Sequence, residues 1–367
     1  MGCYFSKETL PQSESFISED LNNKINQKLQ NTKFQSSSLS ENQSQKILEK
    51  SEILSQYKFY NFLGKGMFCE VRLAKDKSGR KVAIKMIRKR HFTDLDSIKK
   101  IIIEKEIMNS LSHRNILKLF RTFQTNSRLF FVLEYAENGN LLALINSKPF
   151  FTMDEIRIIV AQIVKALLYM HKLEIIYGDL KAENVLFDKN GVLKLCDFNL
   201  SGTRELLEKT IQGTTSYLSP EIIQEKPKTP KSDFWSLGIL IHLMFYKRHA
   251  FTGARQEDIL TSIVEDEVKP EQANRKAVPE LRALILDLLV KNPIRRIGNN
   301  VDEFKSHSFF RDFSWSEDLV LPLNSFPRGI EADKTAGNEV NATMNNFVYE
   351  IADFTFDSSK EATTKEQ

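Results

Sequence analysis

The chain has 367 residues, 41% of them apolar and 10% aromatic, with 52 Lys and Arg against 48 Asp and Glu for a formal net charge of +4. That apolar content supplies a core and excludes wholesale disorder, and the length allows two lobes or one large domain with tails. No apolar run approaches the ~18 residues of a membrane-spanning helix, no long Lys/Arg block suggests nucleic-acid binding, and Cys3, Cys69 and Cys196 form no C-x-x-C pair for a disulfide framework or zinc site. A soluble, intracellular protein of the reducing compartment is expected.

The chain opens Met1-Gly2-Cys3-Tyr4-Phe5-Ser6, the M-G-x-x-x-[ST] pattern for myristoylation of Gly2. One myristoyl chain binds a membrane only marginally, so stable anchoring needs a second signal. Residues 11–50 mix five Lys with five Asp/Glu and provide no polybasic patch, which leaves Cys3 as the natural palmitoylation site. Glu8 and Pro11 interrupt any secretory apolar core. Residues 1–10 therefore read as a lipid-anchor signal that places the chain at the cytoplasmic face of a membrane. Residues 11–56 read as a flexible polar linker, since nineteen of the forty residues 11–50 are Ser, Gln or Asn. Near its end Ile47, Leu48, Ser51, Leu54 and Tyr57 fall at helix-like spacing.

From Tyr57 the pattern changes. Tyr60 to Val71 reads as strand, tight turn at Gly64 and Gly66, and strand; Lys81-Val82-Ala83-Ile84-Lys85 reads as another strand. Glycines between two strands let backbone N–H groups approach phosphates with no Cβ in the way. A strand rather than a helix follows, so this is not a dinucleotide fingerprint, and the Walker spacing is absent. Glu104 falls in a helical run with Met108 and Leu111. Tyr177-Gly178-Asp179-Leu180-Lys181-Ala182-Glu183-Asn184 then precedes Val185-Leu186-Phe187, and Val192-Leu193-Lys194-Leu195-Cys196-Asp197-Phe198-Asn199 follows.

This ordered set resembles the eukaryotic protein kinase family from about Tyr57 to Phe310. The resemblance implies an α+β bilobal fold, with a small antiparallel sheet and one helix (57–135), a larger mainly helical lobe (136–310), and ATP in the cleft. It implies that Lys85 holds the α- and β-phosphates and is held by Glu104, and that Asn184 and Asp197 ligate Mg2+, with Mn2+ as a substitute. Asp179 would orient the substrate hydroxyl as base, and Lys181 would neutralise the migrating phosphoryl group, which makes the acceptor Ser/Thr. The glycine loop Leu63, Gly64, Lys65, Gly66, Met67, Phe68 and Cys69 would cover the nucleotide. Leu63, Val71, Ala83, Leu133 and Leu186 would sandwich adenine, with Glu134, Tyr135 and Ala136 as hinge and Glu183 beside the nucleotide.

Further matches are similar to the AGC group. Gly213 to Glu221 looks like the end of an activation segment, Asp233-Phe234-Trp235-Ser236-Leu237-Gly238 like the helix that anchors the catalytic loop, and Arg296 would pair with Glu221. His307-Ser308-Phe309-Phe310 and Trp315 resemble the domain end, and residues 311–367 an AGC-type tail. In Ile351-Ala352-Asp353-Phe354-Thr355-Phe356, Phe354 and Phe356 would anchor the tail and Thr355 would be regulatory. Thr210 matches the activation-segment phosphothreonine.

Several positions depart from the family pattern. Cys69 replaces the third loop glycine. Asn199 replaces the glycine after Asp-Phe, as in the myristoylated yet-another-novel kinases, and asparagine tolerates left-handed backbone. Gly178 replaces the arginine before the catalytic aspartate, and Gly202 stands where a lysine is often found, so activation is expected to depend little on a phosphate at Thr210. Of the acids that read upstream arginines Glu183 remains, while Asn140 and Thr261 stand at others, so preference for basic substrates should be weak. Cys196 is expected to be buried and inert. The expected function is a monomeric, lipid-anchored Ser/Thr protein kinase acting on protein substrates. Gly178, Asn199 and Cys69 leave open a nucleotide-binding pseudokinase scaffold of the same fold, and the anchor and tail an adaptor.

Overall fold

A computed structural model describes residues 12–31, 53–66, 69–92, 94–207, 212–268, 278–327 and 354–357. Gly2, Cys3, Met67, Phe68 and Thr210 lie outside the described residues, as does most of the helix expected around Ile47 to Tyr57. The chain divides into two compact units that interleave in sequence. One takes Gln27–Pro149, Ala182–Asn199 and Asp318–Gln367; the other takes Met1–Asn26, Phe150–Lys181 and Leu200–Glu317.

The segment read as a flexible linker is corrected over its first half, because α1 (Gln12–Asn31) is a helix. Leu21 and Ile25, one turn apart, are buried on one face. In its last turn Lys28 Nζ donates to Glu106 Oε1 at 2.7 Å. Polar composition hid this helix: ten of its twenty residues are Ser, Gln or Asn, and the burial of Leu21 and Ile25 with the Lys28–Glu106 ion pair orders it.

The first unit is built on an antiparallel sheet of β1 (Lys58–Lys65), β2 (Cys69–Lys75), β3 (Lys81–Arg88), β4 (Leu119–Gln124), β5 (Arg128–Glu134) and β8 (Phe356–Asp357), in the order β1-β2-β3-β5-β4-β8. Period-two alternation sorts β3 into two faces. Val82, Ile84 and Met86 enter a cluster with Ala74, Phe123, Phe130 and Val132, joined by Tyr57 and Phe59. Ala83 and Lys85 point the other way, opposite Leu133 and Phe131 on β5 and Leu73 and Val71 on β2. Helix α2 (Leu95–Ser110) starts at Asp94, whose carboxylate accepts the Ser97 N–H at 2.7 Å, and it buries Ile98, Ile102 and Ile107. The short α3 (Leu141–Ser147) is capped in the same way by Asn140, which accepts the Ala143 N–H at 2.8 Å. The ribbon of β6 (Val185–Phe187) and β7 (Leu193–Leu195) turns at Gly191, whose carbonyl accepts the Leu321 N–H at 2.9 Å.

The second unit is helical. Its α4 (Met153–Lys172) opens with a reciprocal cap between Thr152 and Glu155 and buries an apolar stripe from Ile156 to Met170. Then come α5 (Pro220–Ile223), α6 (Pro230–Tyr246), α7 (Gln256–Glu265), α8 (Pro279–Leu288) and α9 (Val301–Ser306). Helix α6 is buried on nearly all sides, so it reads hydrophobic all round rather than amphipathic. Phe309 and Phe310 close the unit, with Trp315 4.9 Å from the Phe310 ring.

Candidate active site

In the sheet unit, Lys85 Nζ lies 2.6 Å from Glu104 Oε1 and 3.4 Å from Asp197 Oδ1. The Lys85 side chain is 14% exposed and that of Glu104 3%, so water does little to screen the pair. Burial alone would lower the pKa of this lysine; the charges of Glu104 and Asp197 outweigh it and push the pKa above the ordinary lysine value. The result is a fixed cation on the face that also carries Val71, Ala83 and Leu133.

The loop before β2 is shaped by a contact the sequence did not show. A Cβ on Gly66 would lie 2.8 Å from Cys69 Sγ, and the Gly66 N–H donates to the Cys69 carbonyl at 2.9 Å. A Cβ at position 66 would therefore force the Cys69 side chain to shift, whereas a Cβ on Gly64 meets nothing within 4 Å. At the hinge, the Glu134 N–H is taken by the Lys118 carbonyl at 2.9 Å. Among the described residues no intramolecular partner takes the Ala136 N–H, so it can serve a ligand. Leu63 is 37% exposed, Lys65 ends β1 paired with Glu70, Tyr135 is half-buried, Leu186 lies in the β6–β7 ribbon, and Glu183 is exposed.

Asn184 and Asp197 are tied together through Cys196, whose N–H and Sγ both reach the Asn184 carbonyl, at 3.0 and 3.4 Å. Cys196 is half-buried rather than buried, and it works as a brace. The left-handed residue of this segment is Asp197, with φ +60°, and not Asn199. The glycine-to-asparagine change thus falls where no left-handed backbone is needed. Among the described residues no group of three His, Cys, Asp or Glu could hold a metal. A donor set of one carboxylate (Asp197) and one amide oxygen (Asn184) nevertheless fits Mg2+, which takes one or two carboxylates and completes its shell with water and substrate phosphates. Bound with ATP, the ion would neutralise phosphate charge.

In the helical unit, Lys181 Nζ donates to Asp179 Oδ2 at 2.7 Å and to Thr214 Oγ1 at 3.3 Å. The loop carrying Asp179 hangs from α6: the Asp233 carboxylate accepts the Tyr177 N–H at 3.0 Å and the Gly178 N–H at 2.8 Å. His171 Nε2 lies 2.8 Å from the same carboxylate. Asp233 anchors the loop as its motif implied; the His171 contact carried no sequence signal. Gly178 itself is left-handed, with φ +78°. In the tail, Phe354 is buried edge-on to Phe131 at 5.5 Å, and its carbonyl accepts the Thr122 hydroxyl. Phe356 pairs with Thr122 in the sheet, and Thr355 between them is exposed. Thr261 is also exposed, its hydroxyl donating to the Glu257 carbonyl.

Residues 57–310 match the protein kinase domain family. The chain belongs to that family. It is 35% identical over 279 residues to the RAC serine/threonine-protein kinase of Drosophila melanogaster, a match covering 74% of this chain and 45% of that protein. It is 34% identical over 273 residues to protein kinase C epsilon type of Oryctolagus cuniculus (71% and 36% covered) and 35% identical over 284 residues to serine/threonine-protein kinase N2 of Danio rerio (73% and 28% covered). The match thus spans about half the length of these relatives, or less. They agree with the AGC-group resemblance of the motifs and with the bilobal kinase fold expected from them.

Proposed function

We propose that this kinase-family chain transfers the γ-phosphate of ATP to Ser and Thr hydroxyls of proteins. The observation that carries this reading is the Lys85 ammonium fixed at 2.6 Å from Glu104 and 3.4 Å from Asp197. Phosphoryl transfer asks a protein chiefly for positioning and charge neutralisation, and this arrangement provides both. Lys181 beside Asp179 favours Ser/Thr acceptors, and the relatives named serine/threonine-protein kinases support the same class. They lend no weight to a pseudokinase scaffold. The test is transfer from labelled ATP to a mixed Ser/Thr peptide pool with Mg2+ and with Mn2+, comparing wild type with Asp179→Ala and Lys85→Met. Transfer abolished by both substitutions supports the reading; no transfer by the folded wild type overturns it.

The finer parts rest on sequence. Acylation of Gly2 and Cys3 anchors the monomeric kinase to the cytoplasmic face of a membrane, which metabolic labelling with a myristate analogue in wild type and Gly2→Ala checks. Substrate choice depends weakly on upstream arginines, because Asn140 is used as the cap of α3 and Thr261 is uncharged. A peptide array with a strong upstream Arg requirement would contradict that. Phosphate at Thr210 contributes little to activation, a point that fails if Thr210→Ala abolishes transfer in a folded chain.

A further inference from the structure

We propose that Lys228 is a positioning residue of the catalytic loop, its ammonium standing beside Gly178 and supplying the positive charge that Asp179 and Asp233 face. Lys228 is 6% exposed, although lysine is almost never buried without a partner. Among the described residues its ammonium makes no hydrogen bond and no ion pair. A Cβ built on Gly178 would lie 3.2 Å from Lys228 Nζ and 2.5 Å from the Leu200 carbonyl oxygen. The glycine and the lysine therefore share one space: any side chain at 178 displaces the ammonium or strains the backbone. Lys228 thus reaches the space beside Gly178 from the segment that leads into α6.

The charges around that space give the ammonium its purpose. Asp179 is 7% exposed and Asp233 1%. Asp179 has Lys181 at 2.7 Å, and Asp233 has the two loop N–H donors and His171. Two carboxylates this deeply buried set up a field that attracts a cation lying beyond direct contact. Burial lowers the Lys228 pKa, and the charges of Asp233 and Asp179 oppose that shift. Because Asp233 accepts the consecutive N–H groups of Tyr177 and Gly178, a cation beside Gly178 that is attracted to both carboxylates fixes the orientation of Asp179 relative to α6.

The proposal rests on Asp179 acting as the base of the kinase reaction, so its test has an arm that needs no activity. Thermal unfolding midpoints of the full chain are measured for wild type, Lys228→Met, Asp179→Asn and the double variant. Lys228→Met should lower the midpoint more in the wild type than in the Asp179→Asn background, by a difference of about 2–4 °C. In the active wild type, Lys228→Met should lower kcat by about 10²-fold with the KM for ATP little changed, and Lys228→Arg should restore most of it. Should the Met variant fail to fold, Lys228→Gln carries the same cycle. Additive midpoints overturn the proposal, as does a kcat unchanged by Lys228→Met. Absence of transfer by wild type overturns the kinase reading instead, and the midpoint cycle still decides on Lys228.

Discussion

Arg296 forks onto Glu221, with Nη1 2.7 Å from Oε1 and Nη2 2.9 Å from Oε2, and its remaining N–H groups donate to the carbonyls of Lys231, Val290 and Lys291. Arg296 is 1% exposed and Glu221 4%. Removing one partner of such a pair leaves an uncompensated buried charge, so Arg296→Met should cost about 3–5 kcal/mol in urea unfolding. Adding Glu221→Leu should recover most of that loss; a double variant no better than the single one rules the charge argument out. Burial raises the Glu221 carboxyl, but the Arg296 contact outweighs it and leaves the pKa below the ordinary glutamate value of 4.5. A depressed folded-state value means stability that is complete above pH 4.5 and lost as pH falls through the lower folded pKa.

His242 sets a second acid limit at higher pH. Its Nδ1–H donates to the Arg248 carbonyl at 2.9 Å inside α6's buried surroundings, and burial lowers its pKa from 6.5 to about 4. Above pH 6.5 the ring is neutral in both states. Between 6.5 and 4 the unfolded chain takes up a proton that the folded chain refuses, so stability falls as pH drops. The shift corresponds to a loss of about 3 kcal/mol across that window. His242→Gln should flatten this part of the stability–pH curve; an unchanged slope assigns the loss elsewhere.

Gly66 and Cys69 should behave as a coupled pair. Gly66→Ala places a methyl 2.8 Å from the Cys69 sulfur and should weaken ATP binding. Cys69→Gly, which restores the usual loop residue, should suppress the defect. Titration with a fluorescent ATP analogue reads both effects, and a Gly66→Ala defect of equal size in the two backgrounds refutes the steric account.

Tail docking turns on one aromatic side chain. Truncating a fully buried Phe to Ala removes about 3–5 kcal/mol of packing. With Phe354 1% exposed, Phe354→Ala should undock the tail and strip exchange protection from the one amide of the Arg121–Thr122 pair that faces β8, leaving the one that faces β5 protected. Protection of the β8-facing amide that survives the substitution means other residues hold the tail.

What the sequence disclosed and what it hid follow from the range of the interactions. Lys85 with Glu104 and Arg296 with Glu221 were legible because each sits in a motif of fixed spacing whose chemistry needs that residue. The two faces of β3 were legible because alternation is a local property. Helix α1 was not, since its order comes from the burial of Leu21 and Ile25 and from Lys28 reaching Glu106 far along the chain, while its own composition is that of a solvated tether. Lys228 was invisible for a related reason: a lysine after a proline reads as a surface residue until the glycine it stands against is located in space. At Asn199 the sequence pointed one way and the backbone another, because the left-handed turn belongs to Asp197 two residues earlier.

The pairing of β8 with β4 has a consequence for how the molecule must be handled. β4 is the last of the long strands in the sheet, and the two residues Phe356 and Asp357 are what cover its outer side at Arg121 and Thr122. A chain cut at residue 310, where the family match ends, would leave that row of N–H and C=O groups bare. Open edges of this kind are templates for edge-to-edge association. Shortening the chain to the domain boundary should therefore make it more prone to aggregate than the full chain.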